Sequence, residues 1–304
     1  MKLQPLFRLA RPGHWIKNVI VFFPVVLALR VRELDVWLEA GAAAVAFCLV
    51  SSAAYICNDL QDREKDRLHP RKKNRPLAGG DVSPASAIVT MSALLVAGLA
   101  VAAAVGIPTL LVVASYVLLQ AMYSLRLKSL MILDVMCIAM GFVLRAAAGA
   151  VAIHVEISPY LFICTFTICL FMGFGKRRSE AASIGNDLAA GEHRHTLRGY
   201  TPQLLTHLTT LSAGVAIVSY LMYATSERTL AHFGTNYLVY TLPLVIYAVC
   251  RFEMLSAGAS YSDPTELVLR DRPFQMTIVA WGLAVGAILW KGRALQDWLT
   301  QYYH

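Results

Sequence analysis

Apolar runs long enough to cross a lipid bilayer recur along the whole chain. A membrane helix needs about 20 mostly apolar residues, and only 15% of the 304 residues are charged, whereas soluble domains carry about 25%. Nine such runs lie near residues 15–30, 38–57, 84–105, 108–125, 131–154, 158–175, 204–226, 237–255 and 274–291. Eight spans is the alternative, because Lys17, Asn18 and Pro24 interrupt the first run. The sequence predicts an all-α, polytopic membrane bundle in which residues 1–304 form a single domain.

Positive charge is concentrated on one side of the predicted membrane. With a cytoplasmic N-terminus, the inner segments hold 21 Lys and Arg residues and the outer segments hold 5. This asymmetry follows the positive-inside rule, so the two long charged loops, 58–83 and 176–203, are expected to face the cytoplasm. It also explains the net charge of +8 without nucleic acid as a partner. We therefore expect an integral protein of the cell (inner or plasma) membrane with its active site on the cytoplasmic side.

The first of these loops begins with clustered acidic side chains. If residues 58–66 continue a helix, one side of it carries Asn58, Asp59, Asp62 and Asp66. Three crowded carboxylates repel one another unless a cation neutralises them, and oxygen ligands of this kind suit Mg²⁺. The alternative is a solvated acidic helix end, balanced by the basic residues interleaved with the acids. We call these four residues the acid motif.

Basic residues follow the acid motif within the same loop. Lys72, Lys73 and Arg75 are candidate contacts for a diphosphate, because a metal-bound diphosphate also needs cations for its remaining charge. An ordinary positive-inside loop would account for these basic residues, but not for the clustered acids.

The second long loop and the end of the fourth span add further basic residues. Lys176 and Arg177 open the second loop, and Lys128 follows the fourth span. These three residues are a candidate anion clamp. A surface ion pair between Lys176 and Glu180 and snorkelling of Lys128 toward lipid headgroups are the alternatives.

Arg145 is the one charged residue in the middle of a predicted span. Such residues almost always face a polar cavity or a partner, so both an anionic substrate and a buried structural pair remain open. The small residues that follow, up to Gly149, favour close helix packing.

Several other chemistries find no support in the sequence. The six cysteines lie in or beside apolar segments without a C-x-x-C pair and are interpreted as small buried hydrophobes. His193 and His195 are interpreted as solvated loop residues. No P-loop, nucleophile elbow or H-E-x-x-H is present, so nucleotide hydrolysis and classical hydrolase chemistry are not indicated.

The chain resembles the UbiA superfamily of intramembrane prenyltransferases over nearly its whole length. The resemblance rests on Asn58-Asp59-x-x-Asp62-x-x-x-Asp66, Arg75-Pro76-Leu77, Tyr123…Lys128 and the predicted spans. It implies an all-α bundle around a central cavity open to the cytoplasmic side, with Mg²⁺ and a diphosphate bound near that edge. It implies Asn58, Asp59, Asp62 and Asp66 as metal ligands.

One departure from the family pattern is informative. Typical members carry a second aspartate-rich motif after the sixth span, where this chain has Lys176-Arg177-Arg178-Ser179-Glu180. The substitution resembles the branch that makes decaprenyl-phosphoryl phosphoribose, as do segments 11–18, 144–149 and 263–273. That branch implies transfer of phosphoribose from phosphoribosyl pyrophosphate (PRPP) to a polyprenyl phosphate, for a cell-wall or surface glycan such as arabinan. One acidic and one basic motif also suit the several phosphates of these substrates, because cations bind phosphate directly.

The resemblance assigns roles to individual residues. Catalytic candidates are Asp59, Asp62 and Lys176. Candidate substrate-binding residues are Lys17, Asn58, Lys72, Lys73, Arg75, Tyr123, Lys128, Arg145, Arg177 and Glu180. Two alternatives stay open: a prenyltransferase acting on an aromatic acceptor, which predicts a second carboxylate cluster, and a transporter or lipid-binding membrane protein. The sequence leaves open the acceptor's chain length and the oligomeric state, a homo-oligomer included.

Overall fold

The protein is all-helical in the part that the structure describes. This computed structural model describes residues 3–68, 72–184, 199–257 and 270–303, and every regular element in these ranges is a helix. The all-α prediction is therefore confirmed. The chain divides into two compact units, one made by residues up to Ile157 and the other by the described residues from Ser158 onward.

In its described residues, the first unit contains seven α-helices and three 3-10 helices. The α-helices are α1 (Leu3–Leu9), α2 (Phe23–Leu27), α3 (Leu34–Gln61), α4 (Arg63–Leu68), α5 (Pro84–Val105), α6 (Ile107–Leu125) and α7 (Leu133–Ala152). The 3-10 helices are Pro12–Phe22, Lys72–Asn74 and Leu127–Ser129. The start of α5 is set by a side-chain cap, because the Ser83 hydroxyl accepts a hydrogen bond from the Ser86 amide.

The second unit is built from five α-helices in its described residues. They are α8 (Pro159–Ile184), α9 (Pro202–Thr225), α10 (Glu227–Phe233), α11 (Leu242–Ala257) and α12 (Arg272–Tyr303), with a 3-10 helix at Tyr237–Thr241 before α11. Its core includes Phe171 of α8, Phe252 of α11 and Phe274 of α12, which are all buried.

Helix α3 is the central helix of the first unit. It packs against α5, α6, α7 and the 3-10 helix Pro12–Phe22, and its buried Phe47 contacts the Tyr116 ring of α6 at 5.0 Å between centroids. Its 28 residues span about 42 Å, more than the roughly 30 Å of a bilayer's hydrocarbon core. The helix can therefore cross the apolar layer and still project its polar C-terminal turn beyond it.

Seven helices in the described ranges are long and apolar enough to cross a membrane. They are Leu34–Gln61, Pro84–Val105, Ile107–Leu125, Leu133–Ala152, Pro202–Thr225, Tyr237–Ser256 and Arg272–Gly292. The first predicted run, 15–30, is not one long helix: it forms the 3-10 helix Pro12–Phe22 and the short α2. Pro24 lacks the amide donor that a continuous helix would use at that position. The sixth predicted run lies in α8.

Close packing after Arg145, predicted from the small residues there, is confirmed at Gly149. A Cβ atom built on Gly149 would lie 1.9 Å from the carbonyl oxygen of Val21. Both groups belong to the backbone, so neither can rotate away. Only glycine lets α7 approach the 3-10 helix this closely.

We expect Gly149→Ala to destabilise the protein, because one of the two backbone segments must shift to admit a methyl group. Overpacking of this kind costs about 1–3 kcal/mol, and each kcal/mol lowers the Tm of a domain of this size by about 2–4 °C. Thermal unfolding in detergent measures the effect. Gly41→Ala is the matched control, since a Cβ at Gly41 meets nothing within 4 Å. Equal Tm values for the two variants would contradict the prediction.

Candidate active site

The acid motif is divided between two helices. Asn58 and Asp59 lie in the last turn of α3, Asp62 ends that helix, and Asp66 lies on α4. The prediction of one continuous helix over residues 58–66 is therefore wrong. Asp62 has φ −90° and ψ 3°, outside the α-helical region, and the chain starts a new helix at Arg63. Hydropathy and spacing do not reveal such a break, because the motif's polar residues are compatible with either conformation.

Asp59 and Asp66 share one arginine. Arg75 Nη1 lies 3.1 Å from Asp59 Oδ1 and 2.6 Å from Asp66 Oδ2. Asp59 and Asp66 are buried, with 2% and 3% of their surfaces exposed, so their charges need such a partner. Arg75 was predicted to contact a diphosphate, and in this structure it joins the two carboxylates.

A second arginine reaches the same oxygen of Asp59. Arg11 Nη2 lies 2.5 Å from Asp59 Oδ1, and the Arg11 guanidinium stacks over the Tyr55 ring at 5.2 Å from its centroid. Arg11 was not among the residues predicted to form the site. The only sequence signal was its place in the segment 11–18, since the contact depends on how the N-terminal segment meets α3.

Asp62 and Asn58 share a lysine. Lys128 Nζ lies 2.9 Å from both carboxylate oxygens of Asp62 and 3.2 Å from Asn58 Oδ1. Lys128 belongs to the 3-10 helix after α6, so the fold brings together residues 70 positions apart in the chain. Lys128 was predicted to join an anion clamp with Lys176 and Arg177, and that role stays a prediction. In this structure its ammonium group pairs with Asp62 and Asn58, which accounts for its position better than snorkelling does.

The oxygen donors of the acid motif fit a hard divalent cation in kind. Carboxylate and amide oxygens are the ligands that Mg²⁺ takes in proteins. They are not assembled around one point, however: in the described ranges no three acidic, histidine or cysteine side chains form a group that could hold a metal ion. Each carboxylate is instead neutralised by a basic side chain. To bind a metal ion here, the carboxylates must therefore exchange their contacts with basic side chains for contacts with the metal.

The remaining first-unit candidates lie on three different helical elements. Lys72 Nζ lies 4.0 Å from Asp66 Oδ1, while Lys73 is exposed on the same 3-10 helix and Lys17 is exposed on the 3-10 helix Pro12–Phe22. Tyr123 is half-buried in the last turn of α6. Lys72 thus lies close to the acid motif.

Arg145 lies in a buried network of neutral groups. Its Nε donates to Asn18 Oδ1 at 2.7 Å, Nη1 donates to the Gly141 carbonyl at 2.8 Å, and Nη2 donates to Tyr116 Oη at 2.8 Å. The guanidinium also lies over the Tyr116 ring, 4.7 Å from its centroid. Only 5% of the residue is exposed. This network ties α6, α7 and the N-terminal 3-10 helix together. Binding of an anionic substrate by Arg145 stays a prediction.

In the second unit, the basic motif lies on a helix and not in a loop. Helix α8 continues to Ile184, so Lys176, Arg177 and Glu180 occupy its last turns; the prediction of a loop from residue 176 is corrected. Arg177 Nη1 pairs with Glu180 Oε2 at 2.6 Å. Arg178 Nη1 pairs with Glu253 Oε1 of α11 at 2.5 Å. Arg177 and Arg178 thus both have acidic partners within the unit. His193, His195 and segment 263–269 lie outside the described residues.

A further ion pair secures the start of α12. Both carboxylate oxygens of Asp271 accept from Arg251, at 3.1 and 2.8 Å, and Asp271 Oδ1 also accepts from the Phe274 amide at 2.8 Å. The Arg251 hydrogen bonds hold the pKa of Asp271 below its ordinary value of 3.8.

This shift gives a signed pH dependence. A carboxyl group whose pKa is lower in the folded state stabilises that state above its unfolded pKa, and the contribution is lost as the pH falls through the folded pKa. We expect the Tm of the native protein to fall more steeply than that of Asp271→Asn between about pH 5 and pH 3. Thermal unfolding at a series of pH values tests this, and parallel curves would contradict it.

Comparison with known proteins shows the family to which the chain belongs. Residues 19–266 match the profile of the UbiA prenyltransferase family, a match that runs through both units. A relative from Mycolicibacterium smegmatis named decaprenyl-phosphate phosphoribosyltransferase is 32% identical over 296 residues, covering 94% of this chain and 92% of the relative. A protein of the same name from Mycobacterium tuberculosis is 33% identical over 281 residues, covering 91% of each chain.

A solved structure agrees at the level of the fold. A UbiA homolog from Archaeoglobus fulgidus, solved with GPP and Mg²⁺, superimposes with a TM-score of 0.66 at 19% sequence identity, covering 95% of this chain and 98% of the homolog. The profile match over most of the chain, the relatives and the shared fold agree with one another, and they leave the transporter alternative without support. This chain belongs to the UbiA prenyltransferase family.

Proposed function

We propose that this protein is a Mg²⁺-dependent phosphoribosyltransferase. It transfers 5-phosphoribose from PRPP to a polyprenyl phosphate and releases diphosphate, supplying a precursor for a cell-wall or surface glycan. The observation that carries the proposal is the identity of 32–33% with decaprenyl-phosphate phosphoribosyltransferases over more than nine-tenths of the chain. The basic end of α8 supports it, since a second acidic cluster would be expected of an aromatic-acceptor prenyltransferase.

Three anionic groups must be held together in this reaction. They are the diphosphate and the 5-phosphate of PRPP, and the phosphate of the lipid. Asp59 and Asp62, assisted by Asn58 and Asp66, would hold Mg²⁺, which when bound neutralises charge on the departing diphosphate. Lys72, Lys73 and Arg75 would contact the diphosphate. Lys17, Tyr123, Lys128, Arg145, Lys176, Arg177 and Glu180 would complete the sites for the 5-phosphate and the lipid phosphate.

The bond changes require positioning rather than proton transfer. The bond from the anomeric carbon to the diphosphate oxygen breaks, and the electron pair leaves with the diphosphate. A lipid phosphate oxygen then forms the new bond from the opposite face of an oxocarbenium-like ribose, as in glycosyl transfer generally. That oxygen is already ionised at neutral pH, so no general base is needed. The acid motif and its basic neighbours act by orientation and charge neutralisation.

The membrane arrangement is part of the same proposal. We propose that Pro12–Leu27 and α8 join the seven long apolar helices, giving nine membrane segments around a central cavity. The excess of Lys and Arg on one side supports a cytoplasmic opening of that cavity in the cell membrane. PRPP is water-soluble and would reach the acid motif from this side, while the polyprenyl chain stays in the bilayer. The oligomeric state is left open.

A donor comparison tests the proposed reaction. Purified protein in detergent is incubated with Mg²⁺ and either labelled PRPP with a polyprenyl phosphate, or labelled polyprenyl diphosphate with an aromatic acid. We expect label in the lipid fraction with PRPP and no prenylated acid with the second pair. Transfer from the prenyl donor alone would identify an aromatic-acceptor prenyltransferase and overturn the assignment.

A further inference from the structure

Among the described residues, Arg11 is a cation that pairs with the acid motif but has no role in the proposed function. It comes from the N-terminal segment, whereas the other cations of the motif come from the loop after α4 and from the end of α6. Its backbone has φ 51° and ψ 58°, the left-handed region that residues other than glycine rarely adopt. A non-glycine outlier held in place by its surroundings is a reason to look for a function.

The N-terminal segment is fixed along one face of α3. The Ser52 hydroxyl donates to the Ala10 carbonyl at 2.7 Å and accepts from Trp15 Nε1 at 3.0 Å. Tyr55 lies under the Arg11 guanidinium, and Asp59 pairs with it. Ser52, Tyr55 and Asp59 are spaced i, i+3 and i+7, so they share a helix face. The strained backbone of Arg11 is therefore held by contacts on both sides, and its side chain is directed at Asp59.

Arg11 completes the charge balance of the acid motif. Among the residues that the structure describes, three cationic side chains lie within 3.1 Å of the motif's three carboxylates, those of Arg11, Arg75 and Lys128. Lys72 lies slightly farther away, at 4.0 Å. A bare divalent cation approaching this cluster meets no net negative charge and is repelled by the guanidinium groups at close range. A diphosphate-bound cation brings its own negative charge, which compensates that repulsion.

We infer that Arg11 is a built-in counterion of Asp59 that makes metal binding at the acid motif depend on diphosphate. Arg11 is a positioning residue in this account: it acts through Asp59 and touches no reacting atom. The inference rests on one part of the proposed function, that the acid motif binds a metal-bound diphosphate. It holds equally for the diphosphate of PRPP and for that of a prenyl donor.

The inference predicts a gain of metal affinity from the loss of a charge. Mn²⁺ replaces Mg²⁺ as the probe. Equilibrium dialysis of EDTA-stripped protein in detergent measures the dissociation constant of Mn²⁺. The measurement is made with and without methylenediphosphonate, a diphosphate analogue that is not cleaved. We expect native protein to bind Mn²⁺ at least about tenfold more weakly without the analogue than with it. Arg11→Gln should bind bare Mn²⁺ about tenfold more tightly than native protein does. Its affinities for Mn²⁺ with and without the analogue should therefore be nearly equal.

Three controls separate charge from structure. Arg11→Lys keeps the charge and should retain the native pattern. Arg67→Gln removes an arginine whose ion pair is with Glu64 and not with a carboxylate of the motif, and it should also behave like native protein. Asp59→Asn should lose Mn²⁺ binding with and without the analogue, which shows that the assay reports this site.

Two results would overturn the inference. One is native protein that binds bare Mn²⁺ as tightly as it does with the analogue, a result that needs no variant to fold. The other is folded Arg11→Gln with unchanged or weaker affinity for bare Mn²⁺, which would make Arg11 a simple structural tie. Failure of PRPP as donor in the transfer assay would leave both measurements unaffected, so the two ideas fail separately.

Discussion

Asp59→Asn and Asp62→Asn are each expected to lower kcat/KM for phosphoribosyl transfer at least about a hundredfold, the scale seen when a group that stabilises developing charge is removed. The amide keeps the shape of the carboxylate but not its charge, so it binds a divalent cation poorly. Asp59 is buried among cations, so its variant also leaves Arg11 and Arg75 less well compensated. Radiolabel transfer from PRPP to the lipid fraction measures the activity, and the Tm shows that each variant is folded.

Glu64→Gln is the matched control for these two variants. Glu64 lies on α4 between Asp62 and Asp66, but its side chain is 74% exposed and pairs with Arg67. Its replacement should leave activity within about twofold of native, because surface pairs of this kind contribute little. Equal losses in all three variants would mean that general acidity of the loop matters and that the motif's particular carboxylates do not.

Lys176→Asp is expected to have the second large effect, a loss of about a hundredfold in kcat/KM for PRPP with most of it in KM. The change replaces a cation that would bind phosphate with an anion that repels it, and charge-assisted contacts to phosphate are among the stronger hydrogen bonds. Lys176→Gln should be intermediate, since it removes attraction without adding repulsion. Initial rates over a range of PRPP concentrations separate KM from kcat.

Ala181→Asp provides the control for the reversed charge. It adds a carboxylate to the same helix, α8, just over one turn further along, at a half-buried position with no assigned role. We expect it to keep most of its activity. If Lys176→Asp retains native transfer from PRPP, the basic end of α8 takes no part in phosphate binding and the argument from the missing second acidic motif fails.

The helices and the acid motif could be predicted from the sequence, but the side chains that pair with the motif could not. Long apolar segments such as α3 and α7 are predictable because lipid insertion depends on composition and length. Neither property marks where a helix ends among polar residues, so the break at Asp62 and the continuation of α8 to Ile184 were missed.

The ion pairs depend on tertiary approach. Arg75 was assigned to a phosphate because basic residues near an acid motif suit that role, yet in the structure it joins Asp59 to Asp66. Arg11 reaches Asp59 from 48 residues away, through a left-handed backbone that nothing in its residue type predicts. Arg145 was recognised as exceptional from its position alone, but its neutral partners, Asn18 and Tyr116, come from separate elements.

Metal dependence tests the central claim most directly. Protein is stripped with EDTA, and release of diphosphate from PRPP in the presence of polyprenyl phosphate is followed before and after Mg²⁺ is restored. The account predicts no release from stripped protein, recovery with Mg²⁺, and no recovery when Asp59 and Asp62 are both alanine. Sustained release from fully chelated protein, or recovery in that double variant, would contradict it.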